Sequence, residues 1–268
     1  MSIDLKDRVL VITGGGTGIG ASTAMAAAHA GMHVFLCGRR SEPLQRIVDG
    51  IRSLGSQAFF MELDVTERDS EIRLLDEAEA RLGTPWAIFA NAGRGLSRPA
   101  HETTPDEMAS IFEVNFFATH RLFSEATRRM IEHGRGGHLL ACASCLSRFA
   151  IPDHAAYAAT KASQDMLCQA VRMEVEPHGI HVSSVHPITT TTEFFDTAAR
   201  HSGVDDLSVM KDTPRAFIQS PDRVADAIVR CLRKPRPEVW TSRIVRYATV
   251  IRNLYPKFFD RRTRNMKT

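Results

Sequence analysis

The stretch "ACASCLSRFAIPDHAAYAATK", residues 141–161, gathers several side chains able to do chemistry. Tyr157 and Lys161 are four apart on a predicted helix, so they share one face. A phenol ordinarily titrates near pH ~10, and a nearby ammonium favours its ionised form. Such a pair can pass a proton at an alcohol–carbonyl centre nearer neutral pH. Ser144 lies at the predicted end of a strand, where a hydroxyl can hydrogen-bond a substrate oxygen and hold it for that transfer. Cys142 and Cys145 flank it with the spacing of a thiol redox pair or half a zinc site. A redox pair opens a helix beside a strand, whereas these two occupy a strand end and the turn after it. No second Cys pair or His pair completes a zinc site, and His138 and His154 lack ligand spacing. Cys142 reads as a small core residue and Cys145 as pocket lining. An isolated Tyr-x-x-x-Lys is often plain helix surface, so its meaning depends on what positions it.

The elements that would do so alternate along the chain. Short apolar runs at 8–13, 33–37, 58–63, 86–90, 138–143 and 181–185 read as buried strands. Amphipathic stretches near 20–30, 42–54, 67–82, 106–133 and 156–177 read as helices. Strand–helix alternation implies right-handed crossovers and a parallel sheet covered on both faces, a three-layer, Rossmann-like doubly wound α/β domain. One domain is expected over 1–238, with the Thr-, Asp- and Ser-rich stretch 189–220 as a substrate loop and 239–268 as a basic amphipathic segment.

The first strand runs into "TGGGTGIG", Thr13 to Gly20, which opens the first helix. Glycines in that context allow a tight turn and let backbone N–H groups approach a pyrophosphate at a helix N-terminus. The spacing Gly14-x3-Gly18-x-Gly20 departs from the commoner G-x-G-x-x-G. The second strand ends "FLCGRR", with Gly38 where an acid would hold the adenosine ribose of NAD. Arg39 and Arg40 follow, and guanidinium binds a 2′-phosphate through paired hydrogen bonds. NADP is therefore expected over NAD, with Arg39 as the principal contact.

Together "TGGGTGIG" (13–20), "DV" (64–65), "NAG" (91–93), the Asn115 of "VNFFATH", Ser144 and "YAATK" (157–161) resemble the short-chain dehydrogenase/reductase family, in its compact single-domain branch. The resemblance runs from about residue 8 to about residue 195. It implies an NAD(P)-dependent oxidoreductase acting on a secondary alcohol or ketone. It makes Tyr157 the acid/base, Lys161 the group that lowers its pKa and binds the nicotinamide ribose, and Ser144 the polariser of the substrate oxygen. It makes Asn115 the holder of a water in a proton relay from Lys161. Thr13, Gly14, Gly16, Thr17, Gly18, Ile19 and Gly20 would cradle the cofactor, Asp64 and Val65 would flank the adenine, and Asn91, Ala92 and Gly93 would lie beside the ribose. Pro187 and Thr192 would contact the nicotinamide end, with Thr190 and Thr191 as rivals of Thr192. A homodimer or homotetramer is the expected assembly. A catalytically silent nucleotide-binding regulator or scaffold is the alternative, and the four intact residues Ser144, Tyr157, Lys161 and Asn115 argue against it.

Two features depart from the family pattern. Family members usually carry Pro-Gly after the sixth strand; here Pro187 is followed by Ile188, so the loop beside the nicotinamide is expected to run differently. Residues 239–268 hold eight Arg/Lys and one Asp, with Ile244, Tyr247, Ala248, Ile251 and Leu254 at helical spacing. Three readings compete for this segment: a helix closing the substrate pocket, an oligomer contact, or contact with anionic lipid. Packing or assembly is the default, because one such helix binds membranes only marginally. Pocket walls are expected from 94–101 and from Phe194, Phe195, Val209 and Met210, favouring a hydrophobic substrate; His154 and His186 read as structural. Net charge is +3, too small to suggest nucleic acid. Five cysteines without a framework and the absence of a basic-then-apolar leader point to a cytoplasmic protein with free thiols.

Overall fold

A computed structural model describes residues 2–195, 198–199 and 213–264. Val209 and Met210 lie outside the described residues. The seven-stranded sheet has the order β3-β2-β1-β4-β5-β6-β9, and every pairing in it is parallel. Its strands are β1 (Val9–Thr13), β2 (His33–Gly38), β3 (Ala58–Glu62), β4 (Ala87–Ala90), β5 (Gly137–Cys142), β6 (Ile180–His186) and β9 (Glu238–Trp240). All of β1 and β5 is buried, as a strand with helices on both faces requires. Alternation sends Leu10 and Ile12 into one helical layer and Val11 into the other. The first layer holds α1 (Gly18–His29), α2 (Ser41–Ser53) and α7 (Pro221–Arg233); the second holds α3 (Ser70–Leu82), α5 (Ala118–His133) and α6 (Ala155–Val175).

Order reverses between β1 and β4, so the strand ends there open a crevice, where ligands bind in open α/β sheets. The stretch expected as one helix over 106–133 is divided. α4 (Pro105–Phe112) starts from a reciprocal Thr104–Glu107 capping box, and a π-helical turn at Glu113–Phe117 precedes α5. That turn carries Asn115, which a straight helix would direct elsewhere.

Several elements escaped the sequence reading, two of which complete the central sheet and its cover. α7 packs Val224, Ala225, Ile228, Val229 and Leu232 inward at helical spacing, capped by Ser220. It carries the chain across to β9, three residues long and too short for a periodic signal. Val239 and Trp240, assigned above to the basic segment, therefore belong to the central sheet: they pair with Val185 and His186. Beyond them lie α8 (Arg243–Leu254) and α9 (Pro256–Thr263). A two-stranded ribbon, β7 (Thr189–Thr190) with β8 (Ile218–Gln219), spans the base of the 189–220 stretch.

Candidate active site

The glycine-rich turn is built for close approach of backbone. Gly14 and Gly18 have φ of 64° and 55°, where an L side chain is strained. Thr17 caps α1 without a side-chain hydrogen bond, leaving the first amides of that helix to an anionic ligand. Behind the turn, Thr13 and Asn91 brace the ends of β1 and β4. The Asn91 and Ala92 amides each donate to Thr13 Oγ1 at 3.0 Å, and Asn91 Nδ2 donates to the carbonyls of Thr13 and Gly14 at 3.0 and 3.1 Å. Thr13 is buried and Gly20 packs against this brace, so both sit beneath the cradle surface rather than on it.

A cavity of about 1260 Å³ runs from this turn across the strand ends. Gly14, Gly16, Thr17, Gly18 and Ile19 line one end, with Arg39, Asp64 and Val65. Asn91, Ala92 and Gly93 line the middle, Ser144, Tyr157, Lys161 and Pro187 the other end, and Thr192 borders the cavity beside Gly18. Arg39 and Arg40 both line the cavity; Arg40 pairs with Glu193 at 2.8 Å, whereas Arg39, among the described residues, pairs with no carboxylate.

At the far end the Tyr157 ring stands 5.8 Å from that of Phe194. Ser144 accepts from the Leu146 amide at 3.1 Å, and both it and Tyr157 border the cavity. The phenol's titration runs against the sequence expectation. Burial raises it above its ordinary value, and the neighbouring Ser144 hydroxyl only partly opposes that. Lys161 does not reverse the balance, because its amine lies 5.7 Å from the ring centroid and donates elsewhere: to the Cys142 carbonyl at 2.7 Å and to Gln164 Oε1 at 2.8 Å. Burial also lowers the Lys161 ammonium to about 8.

Asn115 does not line the cavity. Its side chain latches the Arg94 backbone in both directions, accepting from the amide at 2.8 Å and donating to the carbonyl at 3.0 Å, and also donates to Thr160 Oγ1. From Lys161 a chain of protein groups leads instead through Gln164, whose Nε2 donates to Thr119 Oγ1, which donates to the Asn115 carbonyl at 3.1 Å. An amide passes a proton poorly, so this chain orients the amine rather than relaying from it. Gln164 and Thr119 were missed in the sequence; Gln164, one turn beyond Lys161 on a face otherwise buried, was the available signal. Replacing Gln164 removes an acceptor of the charged amine. Gln164→Leu is expected to shift the alkaline limb of the pH–rate profile to lower pH and cost about tenfold in rate, while Gln164→Glu shifts the limb upward. Limbs that move together would indicate mere disruption.

The remaining residues sort by position. Thr190 Oγ1 donates to the Ile188 carbonyl at 2.8 Å and Thr191 Oγ1 to the Gln219 carbonyl, whereas Thr192 packs over Gly18. Ile188 is buried with ordinary φ, its amide donating to Thr241 Oγ1, so this loop manages without glycine. His186 is fully buried behind Ser144: Nδ1–H donates to the Ser144 carbonyl at 3.1 Å, and the ring stacks on Trp240 at 4.3 Å. It holds the serine's backbone. His154 borders the cavity and donates to the Pro152 carbonyl. Burial pushes the Cys142 thiol up and the Cys145 thiol to about 11, so both are protonated near neutrality, which suits packing rather than thiolate chemistry. Apolar walls come from Leu96, Leu146, Phe149, Phe194 and Phe259, the last reaching in from α9 to meet Phe149 edge-on at 5.6 Å.

Comparison with known proteins places this arrangement. The family model for short chain dehydrogenase matches residues 8–202. An uncharacterized oxidoreductase of Listeria innocua is 29% identical over 233 residues, covering 86% of this chain and 92% of its own. A short-chain type dehydrogenase/reductase from Mycobacterium marinum superposes with a TM-score of 0.79 at 27% identity, over 88% of this chain and 94% of that one. A 3-ketoacyl-(acyl-carrier-protein) reductase from Brucella melitensis, solved with NADH, shares the fold with a TM-score of 0.78 at 23% identity, over 89% of this chain and 99% of that one.

Proposed function

The chain belongs to the short-chain dehydrogenase family, with its NAD(P)-binding fold, and on that premise we propose that it reduces a hydrophobic ketone, or oxidises the matching secondary alcohol, with NADP as the partner. The observation carrying this reading is that Ser144, Tyr157 and Lys161 open on the same cavity as the glycine-rich turn. Residues of that turn fit a dinucleotide: the uncapped helix amides and the glycines of the turn would hold the pyrophosphate, and Arg39 would hold a 2′-phosphate. The dinucleotide supplies the hydride chemistry. Ser144 holds the substrate oxygen, and Tyr157 gives that oxygen a proton in reduction or takes one in oxidation. Because burial keeps the phenol protonated, the ligand-free site is set to donate, which favours reduction near neutrality.

The test is a screen of hydrophobic ketones against NADPH, followed by absorbance of the reduced ring; no turnover with any of them would leave the silent-binder alternative. For the cofactor, Arg39→Ala should weaken NADPH about tenfold or more and leave NADH nearly unchanged. Titration of both dinucleotides by fluorescence decides it, and equal losses would count against a 2′-phosphate contact.

A further inference from the structure

We propose that the outer face of α8 and α9 is a docking surface for an anionic lipid bilayer. α8 has two faces of opposite character. Val245 and Thr249 are buried inward, and Ala248 borders the cavity. Ile244, Tyr247, Val250, Ile251 and Leu254 fall on the other side of the helix, each about half exposed or more, and Tyr255 and Phe258 continue the stripe along α9. Seven of the fourteen exposed large apolar side chains among the described residues thus lie between 244 and 258. Scattered exposed apolar residues are ordinary, but a contiguous stripe marks an interaction site.

Charge selects the occupant. Residues 243–264 carry seven Arg/Lys and one Asp, a net +6, and among the described residues none of the seven cations pairs with a carboxylate. A second copy meeting this face across a two-fold axis would set +6 against +6. An anionic bilayer complements it. Apolar insertion together with a basic patch gives the two signals that stable surface binding needs, where one alone is marginal. Tyr247, Tyr255 and Phe258 suit the headgroup level. Among the described residues no helix is long and apolar enough to cross a membrane, so α8 and α9 would lie on the surface. Since Val245, Ala248, Phe259 and Arg262 border the cavity, docking places its wall against the lipid; resting on the function proposed above, a lipid-soluble ketone would reach Tyr157 from the bilayer.

Flotation of the full chain with vesicles tests the surface without turnover, so failure here leaves the oxidoreductase reading standing. At low salt, binding to phosphatidylcholine vesicles containing phosphatidylserine should exceed binding to phosphatidylcholine alone by roughly tenfold or more, and fall by a similar factor in about 1 M salt. Tyr247→Glu/Leu254→Glu, at exposed positions, should abolish flotation, as should Arg243→Gln/Arg246→Gln, which leaves the apolar stripe intact; thermal melting checks that both remain folded. Met173→Glu, an exposed apolar position on α6, should float normally. Wild-type chain that stays unbound, equal binding to both vesicles, or unchanged flotation of either double variant would overturn the proposal. So would a dimer that Leu254→Glu dissociates, since a second copy would then cover the face.

Discussion

Tyr157→Phe is expected to lower turnover by about 10²–10⁴-fold, the range general acid–base catalysis supplies, while NADPH binding persists. Loss of one oxygen leaves the ring packed against Phe194 and removes the group proposed above to exchange a proton at the oxygen that Ser144 would hold. The pH dependence carries a sign. Burial raises the phenol, so it stays protonated through neutrality: reduction, which needs the proton, should hold steady there, and oxidation, which needs the phenolate, should rise as pH rises. Lys161, lowered to about 8, adds an alkaline limb of its own, because its charge favours the phenolate only while it is protonated. A phenylalanine variant retaining a tenth of the rate would remove Tyr157 from the chemistry.

Gly20→Ala is expected to cost both stability and cofactor. A Cβ at this position would overlap the Gly14 carbonyl oxygen, which is backbone and cannot swing away, and would stand 2.7 Å from Asn91 Nδ2. Relief requires moving the brace between β1 and β4, and with it the cradle. Overpacking of this kind costs about 1–3 kcal/mol, read as a fall in Tm of roughly 3–10 °C. Displacement of the turn should weaken dinucleotide binding by about tenfold or more. Gly50, inside α2, provides the contrast: a Cβ there meets the Met25 side chain at 3.4 Å, and Gly50→Ala should raise stability by about 0.5–1 kcal/mol through helix propensity. If the two substitutions behave alike in melting and titration, the turn has more freedom than its geometry implies.

What the sequence disclosed follows the reach of its signals. Strands such as β1 and β5 are continuous apolar runs in a chain where helices alternate with them, so the parallel sheet was readable directly. The residues lining the cavity came from motifs whose neighbours in sequence are neighbours in space: the glycine turn, the Asn91–Gly93 loop, and Tyr157 with Lys161. Signals that depend on distant partners were lost. The preference for Arg39 over Arg40 could not foresee Glu193, 153 positions away in sequence, which pairs with Arg40. Lys161 was expected to act on the phenol, but the Cys142 carbonyl and Gln164 compete for its protons from other directions. Thr13 and Asn115 carry motif positions, yet Thr13 Oγ1 accepts from backbone amides and Asn115 bonds the Arg94 backbone and Thr160, partners that spacing cannot reveal. The helix α7 was legible in principle and was passed over beside a stretch without pattern; β9 was too short to see.

The groups proposed to handle the proton all precede residue 187, whereas Val245, Ala248, Phe259 and Arg262 of the cavity wall come from the final two helices. Part of the substrate wall is therefore written in a stretch of chain apart from the proposed chemistry. Chimeras that exchange only the terminal helices between relatives should inherit the donor's substrate range and the recipient's reaction, giving evolution a way to change one without risking the other.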